Sequence, residues 1–145
     1  MLTLELARAL ADATLAEGAR RGAAPLTVAV LDAGGHPVLL YRQTGSGIAR
    51  PQIATGKAWG ALGLGFSSRG VAAAAARFPE FFAALASATG GKVVPAPGGV
   101  LLRDGQGTIV GAVGVSGDGS DVDEACAIVA AGTVELTPEP PHPAA

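Results

Sequence analysis

Lys57 stands where a positive charge could carry chemistry. It is one of only two lysines in the 145-residue chain, and its neighbours along a predicted helix are small or apolar. A cation in such surroundings can anchor an anionic group such as a carboxylate, and a lysine whose pKa is lowered by burial can act as a base. It can equally form an internal ion pair, with Asp32 or Glu124 as the acid. The residues alone leave these interpretations open.

Glu124 and the pair Gly98-Gly99 are candidates to complete a site with Lys57. Glu124 lies in the first turn of a predicted helix, where the helix dipole alone favours an acid. Gly98-Gly99 lies in a proline-bracketed loop, whose backbone N–H groups could approach a ligand closely. We therefore predict an anion site formed by Lys57 and this loop, although a tight turn before a strand has the same composition.

Three further candidates for ligand binding surround the first predicted hairpin. His36 lies at its tip, where an imidazole could ligate haem iron or stand as a solvated turn residue. Asp32 ends the preceding strand, where it could organise the turn or contact a ligand. Arg42 ends the second strand, where a guanidinium could bind a carboxylate or remain in solvent. No second His, Cys or Glu stands at metal-ligand spacing from His36 or from His142 in the tail, so we expect no dedicated structural zinc or iron site.

The composition excludes several classes of protein. Charged residues make up 15% of the chain, and its ten Lys and Arg form no basic stripe, so we expect no nucleic-acid partner. No apolar run reaches the roughly 20 residues of a membrane span, and the start lacks the pattern of a signal peptide. We therefore expect a cytoplasmic protein without a membrane partner. The single cysteine, Cys126, excludes an internal disulfide and falls on the apolar face of a predicted helix.

Hydrophobic periodicity and turn residues predict an α+β domain over residues 1–136. Two hairpins separated by helices indicate an antiparallel sheet with helices packed on it. The Pro-rich residues 137–145 predict a disordered tail. The predicted helices cover 3–21, 49–64, 67–76, a short stretch from 78 to 89 and a last one beginning near 121; the predicted extended segments cover 26–31, 38–42, 93–94, 100–103 and 108–115.

Three segments together resemble one family. They are residues 28–38, residues 53–61, and residues 97–100 followed by 111–117 and 123–125. In order and spacing they resemble the GlcG/HbpS family of haem-degrading domains, which is similar to the C-terminal domain of PduO, and the resemblance covers residues 2–134. It implies a profilin-like fold, in which helices flank a five-stranded antiparallel sheet. It also implies a homo-oligomer, from dimer to octamer.

The resemblance implies a small-molecule ligand, with haem, a corrinoid or a small organic acid as candidates. It includes a lysine at position 57 and an Asp-Glu pair at 123–124, and the match to this pair makes Glu124 a candidate acid or base beside Lys57. Three hypotheses follow for the function. The first is a protein that binds haem or a related tetrapyrrole; the second is a cofactor-independent enzyme acting on a small carboxylated metabolite through Lys57 and Glu124; the third is an accessory subunit of a catabolic pathway.

Overall fold

The computed structural model describes residues 1–145 and contains five helices and five strands. The first helix is capped by Thr3, whose side chain accepts a hydrogen bond from the backbone of Leu6, and it ends at Gly22 in a left-handed conformation. The elements in chain order are α1 (Leu4–Arg21), β1 (Thr27–Asp32), β2 (Pro37–Arg42), α2 (Arg50–Leu64), α3 (Ser68–Arg77), α4 (Pro79–Thr89), β3 (Gly99–Arg103), β4 (Ile109–Ser116), α5 (Ser120–Thr133) and β5 (Thr137–Glu139).

One antiparallel sheet forms the centre of the molecule, with the strand order β2-β1-β4-β3-β5. The larger core cluster joins α1 and α5 to one face of the sheet and includes Leu10, Val28 and Val113. A smaller cluster joins α2 to the other face and includes Leu31 and Ala58. Alternate residues of β1 therefore enter different cores, as the pleat requires. The expected α+β fold, a five-stranded antiparallel sheet flanked by helices, is confirmed.

Two glycines allow α2 to lie almost directly on the strands. A Cβ atom at Gly114 would collide with the backbone carbonyl of Ala54, and one at Gly99 would collide with the carbonyl of Lys57. Any larger residue at these positions would push the helix away from the sheet. The side chains of α2 that point toward the strands, including Lys57, are consequently sealed from solvent.

The fifth strand comes from a part of the chain where the sequence predicts disorder. Residues 137–139 form β5 and pair with β3, in the register Leu101↔Glu139 and Arg103↔Thr137. An ion pair between Arg103 and Glu139, with atoms 3.0 Å apart, joins the same two strands. The predicted domain end at 136 is therefore too early, because the edge of β3 offers backbone partners that composition cannot reveal. The predicted extended piece at 93–94 belongs to no strand.

None of the helices combines the length and the apolar character that a membrane crossing requires.

Candidate functional site

Lys57 is held in a buried ion pair between α2 and the start of α5. Its side chain is 3% exposed, and its Nζ donates to the backbone carbonyl of Val115 at 2.9 Å and to Asp123 Oδ2 at 3.3 Å. The acid is thus Asp123, whereas the sequence pointed to Asp32 or Glu124. Burial lowers the pKa of Lys57, while the carboxylate of Asp123 opposes this shift.

The Gly98-Gly99 loop covers Lys57 and makes room for its side chain. A Cβ atom at Gly98 would lie 2.9 Å from Lys57 Nζ, and the φ of +127° at this residue also favours glycine. The N–H of Gly99 donates to Ser68 Oγ at 2.6 Å, so it is already used within the chain. The structure brings Lys57 and the loop together, as predicted from the sequence. The space between them is filled, however, and the positive charge already has its acid.

Glu124 belongs to a second charged group beside this pair. It is fully buried, and both of its carboxylate oxygens accept hydrogen bonds from Arg69 Nε at 3.1 Å. Arg69 also pairs with Asp121 on the surface. Burial raises the pKa of Glu124, and the neighbouring guanidinium opposes this shift. Every charge in this group is engaged by another, which is the arrangement that a buried ion pair needs in order to be tolerated.

The turn between β1 and β2 is organised by Asp32. Its Oδ1 accepts hydrogen bonds from the backbone N–H groups of His36 at 2.9 Å and Gly34 at 3.0 Å, and these donors lower its pKa, with His36 contributing most. The Nδ1 atom of His36 lies 3.2 Å from the same oxygen, and the imidazole is 78% exposed. Arg42 donates to the backbone carbonyl of Ser46 at 2.8 Å, so one of its N–H groups is used to fix the loop.

An open cavity lies elsewhere, on the outer side of α2. We call it the Trp59 groove: it is open, has a volume of about 590 Å³, and is lined by Gly35, Leu40, Gln52, Thr55, Trp59 and Lys92 together with one proline and neighbouring glycines. Its walls come from the β1–β2 turn, β2, α2 and the segment after α4. Of the residues that the sequence analysis proposed for a site, none lines this groove.

The helical spacing of α2 explains one wall of the groove. Gln52, Thr55 and Trp59 are three and four residues apart, so they share one helix face. That face is opposite to the one that buries Ala54 and Ala58 against the sheet. Pro51 occupies the first turn of the helix, where its missing N–H costs nothing.

The polar groups of the Trp59 groove are free, in contrast to those around Lys57. The Nζ atom of Lys92 lies 5.6 Å from the centroid of the Trp59 ring, and no acid of the chain lies within ion-pair distance of it. The side chains of Gln52 and Thr55 make no hydrogen bonds within the chain. The groove therefore offers an aromatic surface, one unpaired cation and several hydrogen-bonding groups, a combination typical of small-molecule sites. No three His, Cys, Asp or Glu side chains are grouped so as to hold a metal ion.

Sequence reasoning missed Lys92, Gln52 and Thr55. The available signals were weak: Lys92 is the second of the two lysines and follows two glycines, and Gln52 is the polar member of a helix face of small residues. What brings them together is the return of the chain after α4, where Val94 donates a backbone hydrogen bond to the carbonyl of Gly56 at 3.3 Å. A contact between residues so far apart in the chain leaves no local pattern.

A family model described as haem degrading protein, HbpS-like, matches residues 2–132. The chain belongs to the HbpS-like family. No curated protein gives a significant match to it. Among solved structures, this HbpS-like chain is similar to a double mutant of HbpS from Streptomyces reticuli, with 26% identity, a TM-score of 0.78 and coverage of 91% of this chain and 86% of that one.

Two further solved structures share the HbpS-like fold. One is the complex of PduOC with haem, with 24% identity, a TM-score of 0.79 and coverage of 89% of this chain and 91% of that one. The other is protein ORFY of Klebsiella pneumoniae, with 23% identity, a TM-score of 0.81 and coverage of 91% and 89%. Each of these three likenesses covers 89–91% of this chain.

Proposed function

We propose that this chain binds a haem-related small molecule, and that the Trp59 groove is its site. The observation that carries the proposal is the groove itself: an open cavity with an aromatic wall and an unpaired cation, in a chain whose family is described as haem-degrading. The solved PduOC complex, which contains haem, is a member of the same fold and supports the choice of ligand class.

The residues of the groove fit such a ligand. A volume of about 590 Å³ lies within the range of small-molecule sites. The exposed surface of Trp59 suits a flat apolar macrocycle, and the ammonium group of Lys92 suits a carboxylate substituent on its edge. The ammonium group of Lys92 has no ion-pair partner in the chain. A ligand can therefore bind it without first displacing an acid of the protein.

His36 is the residue that we assign to the iron of a bound haem. The only other histidine, His142, lies in the last four residues of the chain. His36 does not itself line the groove, but it follows Gly35, which does, and its Nδ1 faces Asp32, which leaves Nε2 free. A carboxylate on the second ring nitrogen is the usual support of a metal-ligating histidine. Bound haem supplies a redox-active iron whose potential depends on the axial ligand.

Lys57 and Glu124 are closed off from the groove by their own ion pairs, and we propose no catalytic role for them. We do propose, in line with the resemblance, that the protein is a homo-oligomer. Several large apolar side chains support this, because Leu40, Ile48, Phe78 and Phe81 remain exposed in the single chain.

The site is tested by titrating ferric haem into the protein. Trp59 is the only tryptophan, so quenching of intrinsic fluorescence reports directly on the groove. We expect saturable quenching together with a shifted Soret band. His36→Gln should change the Soret band, and Lys92→Met should weaken the quenching, while Arg8→Met, an exposed change on α1, should alter neither. Quenching that is absent, or that is the same in all four proteins, would overturn the assignment of the groove.

A further inference from the structure

Helix α4 has no buried residue, although it is one of the most apolar helices of the molecule. Its sequence PEFFAALASAT contains a single charged residue, Glu80. It packs only on α3, and it makes no contact with the sheet. A helix that is apolar all round is ordinarily buried in a protein interior. Within a single chain, α4 therefore lacks the partner that its composition requires.

Phenylalanines concentrate this apolar surface at the start of α4. Phe78 is 53% exposed and Phe81 is 57% exposed, and Phe82 lies edge-on to Phe81 with ring centroids 5.6 Å apart. Residues 77–81 enclose a shallow hollow of about 430 Å³. Exposed aromatic rings around a hollow are the features that anchor protein interfaces.

Two opposite charges border the hollow, and neither is paired within the chain. The guanidinium of Arg77 lies 5.3 Å from the centroid of the Phe78 ring, which holds it beside the aromatic surface. Glu80 lies three residues further on, across the break between α3 and α4, and the two side chains form no ion pair. One positive and one negative charge are thus both available to a partner.

We propose that this surface, residues 77–82, pairs with the same surface of a second copy around a two-fold axis. The proposal rests on the homo-oligomer proposed above and names the interface. A two-fold interface must be complementary to itself, and a patch that lines an aromatic hollow with one charge of each sign meets that condition. In the pair, Arg77 of each copy faces Glu80 of the other, while the phenylalanines fill the space between.

Other occupants fit the surface less well. An anionic membrane attracts helices that carry several lysines or arginines, and α4 carries none. A strongly acidic or basic partner would meet a repelling charge, because both signs are present. The surface therefore favours a partner with the same balanced charges, which a second copy provides.

Charge exchange tests the pairing directly. Arg77→Glu alone and Glu80→Arg alone each place like charges opposite one another, and each should raise the dissociation constant of the pair about tenfold or more. The double variant Arg77→Glu with Glu80→Arg restores opposite charges and should restore association. Masses and dissociation constants come from sedimentation equilibrium, with Arg8→Glu as a matched control for a change of charge on an exposed helix. Phe81→Asp should weaken association without unfolding the chain, because Phe81 is exposed.

The outcomes separate this interface from the wider proposal. A wild-type monomer at micromolar concentration would overturn both the homo-oligomer and the pairing. An oligomer whose mass and dissociation constant are unchanged by either single exchange and by Phe81→Asp would overturn the pairing through α4 alone. Failure of the double variant to recover association would show that Arg77 and Glu80 do not face each other. Circular dichroism confirms that each variant keeps its helix content.

Discussion

The two lysines of this protein have different surroundings in the fold, although both stand next to glycines in the sequence. Lys57 points from α2 toward the sheet and forms an ion pair with Asp123. Lys92 follows α4 and extends along the face of Trp59 without any acid beside it. The first charge stabilises the junction of α2 and α5. The second contributes no ion pair to the fold, so its charge remains available to a ligand.

This difference shows that burial alone does not mark a functional charge. Lys57 has the features by which active-site lysines are often sought, namely a lowered pKa, a glycine-rich loop and apolar neighbours. Structural ion pairs produce the same features. The better sign of a binding site here is a charge that the protein leaves unpaired at the edge of a cavity, as it does at Lys92.

The largest effect on stability should come from Lys57→Met. The variant keeps an unbranched side chain of similar length but leaves the carboxylate of Asp123 buried without its partner. Loss of one member of a buried ion pair costs about 3–5 kcal/mol, and denaturant unfolding measures the difference. The double variant Lys57→Met with Asp123→Leu should recover much of this loss, because no charge then remains uncompensated. A single variant as stable as the wild type would show that Lys57 is not structural.

Lys92→Met should weaken ligand binding and leave stability unchanged. We expect the unfolding midpoint to remain that of the wild type, because Lys92 is exposed and its ammonium group interacts within the chain only with Trp59. Binding of ferric haem should weaken about 10- to 150-fold, since an interaction with a charged group contributes about 1.5–3 kcal/mol. Fluorescence of Trp59 measures both binding and unfolding in the same samples. A fall in stability without a change in affinity would remove the contrast between the two lysines.

The smallest effect concerns acid stability and a charge cluster on α1. Arg20 and Arg21 donate to Glu17, and the hydrogen bond from Arg20 contributes most to lowering its pKa from 4.5 to about 2. The folded state therefore holds this proton less tightly than the unfolded state does. Its contribution to stability is present above pH 4.5 and is lost as the pH falls toward 2.

We expect this contribution to be about 1–2 kcal/mol, because Arg20 is largely exposed and water screens the pair. Unfolding at pH 7 and at pH 3 measures it. The difference in stability between the two pH values should be smaller in Glu17→Gln than in the wild type. An equal difference in both proteins would mean that Glu17 does not titrate differently in the folded and unfolded states.

Much of the fold was accessible from the sequence because it has local signals. Thr3 and Gly22 delimit α1, and the turn around Gly35 joins two runs of strand-forming residues. The fifth strand was not accessible, since residues 137–139 have no periodicity of their own and depend on the free edge of β3. An ordered edge strand of three residues cannot be distinguished from a proline-rich tail by composition.

The candidate site was likewise predictable from the sequence only in part. The turn-forming role of Asp32 follows from its position beside glycines, and the structure shows the hydrogen bonds that such a turn requires. The nearness of Lys57 to Gly98-Gly99 was also predicted, but not the acid that neutralises it, because Asp123 and Glu124 are adjacent and only the rotation of α5 decides which one faces α2. The Trp59 groove depends on where the chain returns after α4, and no local sequence rule specifies that path.

The proline in each edge strand of the sheet affects how the protein associates at high concentration. The strand order leaves β2 and β5 as the two outer strands, and Pro37 begins the first while Pro138 lies at the middle of the second. A proline has no N–H to offer an approaching strand. Each edge strand thus lacks one hydrogen-bond donor that an additional strand would need. Pairing of edge strands between molecules is therefore disfavoured on both sides of the sheet. We expect residues 137–139 to limit edge-to-edge association of sheets, because removing them would expose the edge of β3 that they cover.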